Sequence, residues 1–127
     1  MEAAPSSSRR DTCTALAEKM RMLKVLLMQR TAVYLSVDNS RTVENITQFC
    51  AFLDELMLRA LVCDERALVS IYRGSELACG TKSLRLIFKR RGEDADAVMA
   101  ERRKVNSMWR QIAEIIGYIE VDVKRND

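Results

Sequence analysis

Four short segments of this chain set their large apolar residues on alternate positions, and a chain that does this repeatedly needs a second layer to cover one face of a sheet. In RTAVYLSVDN, Val33, Leu35 and Val37 alternate with Tyr34, Ser36 and Asp38. RALVSIYRG sets Val69 and Ile71 against Ser70 and Tyr72. TKSLRLIF turns Leu84, Leu86 and Phe88 to one side and Ser83, Arg85 and Ile87 to the other, ahead of a basic corner that ends at Gly92. YIEVDVK has the cleanest alternation, with Ile119, Val121 and Val123 facing inward and Tyr118, Glu120, Asp122 and Lys124 outward. Their β-branched content suits strands.

Between these segments the period becomes helical. Leu16, Met20, Leu23, Leu26 and Leu27 mark an amphipathic helix over residues 12–30, behind a small, polar, disordered tail at 1–11. Its methionines Met20, Met22 and Met28, with Leu23 and Leu27, either pack on the domain or meet a protein partner, since methionine-rich surfaces adapt to what they touch. Ser40 to Leu61 predicts a buried helix, with Val43, Ile46, Cys50, Leu53 and Met57 on one face and Phe49, Phe52 and Leu56 widening it. After the acidic start at Glu93, Asp94 and Asp96, a stripe from Val98 through Val105, Met108, Trp109, Ile112 and Ile115 predicts another helix that stops at Gly117. The order after the first helix is then β, α, β, β, α, β. This is an α+β class: a four-stranded antiparallel sheet with two helices on one face, occupying residues 31–127. An all-helical alternative stays open, and it requires VSIYRG, SLRLIF and YIEVDV to be helix.

A chain of 127 residues with 48% apolar and 31% charged side chains builds one domain around one core. Its net charge of +3 permits contact with nucleic acid or anionic lipid without demanding it. Cys13, Cys50, Cys63 and Cys79 show no CxxC pairing and there is no histidine, so no zinc site is expected and the cysteines read as reduced thiols of an intracellular protein, nuclear or cytoplasmic. Lack of histidine also excludes Ser-His-Asp and Cys-His nucleophiles. With no glycine-rich phosphate loop and no evident carboxylate pair, the reading is non-enzymatic, with no cofactor, metal or small-molecule substrate. The apolar run from Met22 to Met28 is broken by Lys24 and falls far short of the roughly 20 residues that span a bilayer, so no membrane segment is expected.

The βαββαβ order, with Tyr34 in VYLSVDN, the run IYRGSELACGTKSLRLIFKRRGEDADAVMAE and the terminal YIEVDVKR, resembles an RNA recognition motif over residues 31–125. The resemblance implies a ferredoxin-like sandwich whose open sheet face takes single-stranded RNA, weakly or within a ribonucleoprotein complex. It implies that Tyr34 and Tyr72 stack on bases, that Arg85 stacks or meets phosphate beside Ser83, and that Lys82, Lys89, Arg90 and Arg91 follow the backbone. Ser83 and Arg85 stand where that family usually places two aromatics, and both helices are longer than the family's. The alternative is a protein-protein interaction adaptor on the same fold, with residues 12–29 covering the sheet and no RNA bound. Oligomeric state stays open.

Overall fold

From Ser6 to Arg73 the sequence contains neither glycine nor proline, the two residues that cost most inside a helix. The computed structural model describes the backbone of residues 3–36, 40–75 and 95–126, and the side chains of 9–31, 42–75 and 99–126. Among the described residues every regular element is a helix: α1 (Ala3–Ser36), α2 (Ser40–Leu61), α3 (Glu65–Gly74) and α4 (Ala95–Arg125). The α+β class is therefore overturned, and with it the ferredoxin-like sandwich and the likeness to an RNA recognition motif. RTAVYLS is the end of α1, RALVSIYRG lies in α3, and YIEVDVK lies in α4. TKSLRLIF lies outside the described residues. The helix expected from Ser40 to Leu61 is α2.

The periodicity that governs the fold is 3.5, not 2. The most regular buried rows are Cys13, Leu16, Met20, Leu23, Leu27 and Arg30 along α1, Thr42, Ile46, Phe49, Leu53, Leu56 and Ala60 along α2, and Val105, Trp109, Ile112, Ile116 and Ile119 along α4, with Ala17, Cys50 and Phe52 buried beside them. Steps alternating between three and four residues put one seam of each helix against its neighbours, as in coiled coils and antiparallel bundles. In α3, Leu68 and Tyr72 make the same step and are buried.

Charged and polar pairs between helices show the directions of packing. Lys24 donates to Asp54 Oδ1 at 2.8 Å, while Arg9, one long stretch earlier in α1, meets Glu65 just beyond the end of α2 at 3.5 Å; α1 and α2 are antiparallel. Arg30 reaches Glu101 at 2.9 Å and Lys19 reaches Gln111 at 3.0 Å, so α4 also runs antiparallel to α1. The helices form a ring in which each packs on the next in sequence and α4 closes back on α1. Inside it Trp109 sits edge-on to Phe49, centroids 5.1 Å apart, with Phe52 at 6.3 Å and Tyr72 at 6.2 Å.

Three residues turn α2 into α3. The Asp64 amide donates to the Arg59 carbonyl at 2.9 Å and that of Cys63 to the Ala60 carbonyl at 3.1 Å, the paired bonds of a Schellman ending. Cys63 takes the left-handed backbone this ending requires, φ 55°, where glycine is the usual occupant. Asp64 then caps α3, its side chain accepting from the Ala67 amide at 3.2 Å.

Gly117, expected to stop a helix, lies inside α4, and a Cβ built there meets nothing within 4 Å. Gly117→Ala is therefore expected to raise stability by about 0.5–1 kcal/mol, because alanine loses less backbone freedom on becoming helical. Chemical denaturation measures this, and a lower midpoint in the variant would contradict a continuous α4. Among the described residues no helix is long and apolar enough to cross a membrane.

Candidate functional site

With no sheet among the described residues, the residues assigned to its open face do not form a platform there. Tyr72 is buried, its ring against Trp109 and the Arg73 guanidinium 5.3 Å from its centroid. Arg73 in turn donates to Glu120 at 2.9 Å, tying α3 to α4 and holding the Glu120 carboxyl below its ordinary pKa. Tyr34 falls in the last turns of α1, and its side chain is outside the described set. Lys82, Ser83, Arg85, Lys89, Arg90 and Arg91 also lie outside the described residues. Met20, Leu23 and Leu27, the face offered to a partner, are completely buried in the bundle. Of the two readings of that face, packing on the domain is the one the coordinates contain.

The exposed apolar residues of α1 stand off this seam: Met22 at 49%, Val25 at 41% and Met28 at 56% exposure. Met22, Val25 and Leu26 meet Met108 of α4 across a groove of about 200 Å³, with Arg21 and Lys104 on its rims. The Lys19–Gln111 hydrogen bond crosses between the same two helices about one turn farther along. Leu26 and Met108 pack against the edge of the core, while Met22 and Val25 stand exposed beside them. A larger, shallower trough of about 860 Å³ lies between α2 and α3 over Ala51, Phe52 and Ile71, and it runs to Ser75, where the described residues pause.

Sequence reasoning named Met22 for a partner surface but missed Val25 and Lys104 and did not bring Met22 and Leu26 together with Met108. The signal available was large apolar residues at positions that a 3.5-residue seam does not use.

A second cluster lies at the far end of the bundle. Cys13, buried in α1, interacts electrostatically with Cys63 of the α2–α3 turn, and Cys13, Cys50 and Cys63 are free thiols. Burial, followed by Cys63 and Glu65, pushes the Cys13 thiol from 9.0 to about 12, with Arg9 opposing. The native state thus keeps a proton that the unfolded chain releases above pH 9. Stability that depends on this thiol is complete below pH 9 and declines as pH rises toward 12. Denaturation midpoints should therefore fall less steeply between pH 8 and 10.5 in Cys13→Ala than in the wild type, and equal slopes would remove Cys13 from the alkaline response.

Among the described residues no group of three or more histidine, cysteine or carboxylate side chains could hold a metal ion. No protein-family model matches the chain, and no curated protein or solved structure shows significant similarity to it.

Proposed function

We propose that this chain is a non-enzymatic protein-interaction module, a helical bundle that docks a partner in the groove between α1 and α4. The observation that carries this reading is the half-exposed pair Met22 and Val25, which line a groove with Leu26 and Met108 at the edge of the core. Burying apolar area yields roughly 25 cal/mol per Å², and methionine adapts its shape to what it meets, so such a strip suits a protein surface better than water. Single-stranded RNA remains the competing occupant, because basic residues flank the groove. The aromatic platform that RNA stacking needs is not assembled in the described residues: Tyr72 is inside the bundle.

The test is a double variant, Met22→Asp with Val25→Asp, used as bait beside the wild-type chain in affinity purification with quantitative mass spectrometry. Both positions are exposed, so circular dichroism should show an intact helical fold. Partners retained by wild type are expected to fall by roughly tenfold or more in the variant, the scale of a central interface contact. An unchanged partner set would move the docking surface elsewhere.

A further inference from the structure

Two basic residues line the groove, Arg21, which pairs with Glu18, and Lys104. The helix stretches that line it, EKMRMLKVLLMQR at 18–30 and ERRKVNSMWRQ at 101–111, hold eight basic and two acidic residues, a balance of +6 where the whole chain is +3. Both acidic residues are already engaged. Glu18 accepts from Arg21 Nε at 3.1 Å and Glu101 accepts from buried Arg30 at 2.9 Å. Lys19, Arg102, Arg103, Lys104 and Arg110 are left with no carboxylate of either stretch to oppose them, and Lys104 sits on the rim of the groove itself.

Resting on the interaction-module reading, we infer that the occupant is an amphipathic helix of another protein, with apolar anchors flanked by glutamate or aspartate. The groove lies between two antiparallel helices, and a third helix laid along it meets the apolar floor with residues spaced i and i+3 or i+4. The apolar floor runs about 6 Å along α4, from Lys104 to Met108, so it seats two adjacent anchors of such a helix. Carboxylates beside the anchors then fall opposite Lys104 on the rim. The charge steers encounter and sets partner choice, while the apolar floor holds the helix in place. A nucleic acid strand satisfies the cations and leaves Met22, Val25, Leu26 and Met108 facing a polar backbone.

The test uses the full chain and three fluorescent synthetic peptides in anisotropy titrations at low and high salt. One carries apolar anchors with acidic flanks, one the same anchors with lysine flanks, and one a scramble of the first that destroys the apolar face. A single-stranded RNA pool is titrated alongside. Saturable binding of the first peptide alone, weakened by salt, is the expected result. Lys104→Glu should lower its affinity roughly fivefold at low salt, and Met22→Asp roughly tenfold at either salt.

Equal binding of the scramble overturns the inference, since charge alone then suffices. So does equal binding of the lysine-flanked peptide. RNA binding that ignores Met22→Asp overturns it in favour of nucleic acid, and a dimer dissolved by Met22→Asp in sedimentation overturns it in favour of a second copy. If no peptide binds while partners are still lost from the Met22→Asp, Val25→Asp bait, the acidic-helix inference fails and the groove reading stands.

Discussion

Trp109→Ala is expected to remove about 3–5 kcal/mol, the usual cost of deleting a buried large aromatic, from a fold whose total stability is of order 5–15 kcal/mol. Trp109 is the chain's one tryptophan and is nearly buried. From α4 it touches Phe49 and Phe52 of α2 and Tyr72 of α3. Those three helices have no other aromatic link of this kind among the described residues, so the indole is where α2, α3 and α4 agree on their spacing. Alanine leaves a cavity that the rigid helices close only by moving Phe49, Phe52 or Tyr72. Thermal unfolding followed by far-ultraviolet circular dichroism should show a midpoint lower by about 10 °C or more. Trp109→Phe, which refills most of the volume, should recover more than half of the loss. A shift below about 1 kcal/mol for Trp109→Ala would mean that the aromatic cluster is not the centre of the core.

The same residue shows why part of the fold was legible and part was not. Around Trp109 the apolar residues already follow helical spacing, and α2 is delimited by sequence at Ser40 and Leu61 because polar capping residues precede an apolar stripe of about four turns. The misreading came from windows too short to separate period 2 from period 3.5. In YIEVDVK, Ile119 and Val123 are four residues apart and face inward in either structure, so only Val121 discriminates, and Val121 is 52% exposed. Treating Gly117 as a stop cut that window away from Val105, Trp109, Ile112 and Ile116, whose steps of four, three and four continue through it. A lone glycine costs a helix about 1 kcal/mol, which the packing of the rest of α4 outweighs.

In RALVSIYRG the alternation drew attention to Val69 and Ile71, which flank the buried edge. Leu68 and Tyr72 are the residues that fill the core. Four residues separate them, a helical step in plain view, but β-branched neighbours weighed toward strand. β-propensity largely reports fit to a half-buried surface, and the edge of a helix in a bundle is such a surface. The candidate groove was less legible still. Sequence alone marks Met22 and Val25 as apolar, but their exposure follows only once Leu16, Met20, Leu23 and Leu27 are assigned to the seam, and their approach to Met108 depends on the antiparallel register of α1 and α4.

That register carries a cation in its seam, and removing its counterion gives the second large effect. Arg30 stands one heptad step beyond Leu27 with its side chain 6% exposed, and Glu101, 32% exposed, accepts from it at 2.9 Å. Taking the carboxylate away removes a charged acceptor from a guanidinium that is 6% exposed, and losing one half of a buried ion pair is the costly change. Solvent reaches Glu101, so the expected loss for Glu101→Ala is about 1–3 kcal/mol, below the 3–5 kcal/mol of a fully enclosed pair. The pair itself is another matter, because desolvating both ions offsets most of their attraction. Arg30→Met with Glu101→Leu is expected to restore wild-type stability within about 1 kcal/mol, since the seam position then carries a side chain of the kind found at Met20 and Leu27. Urea denaturation of the two single variants and the double variant completes the cycle. A double variant that loses as much as the sum of the singles would show that Arg30 and Glu101 act independently and that the contact between α1 and α4 does not depend on their pairing.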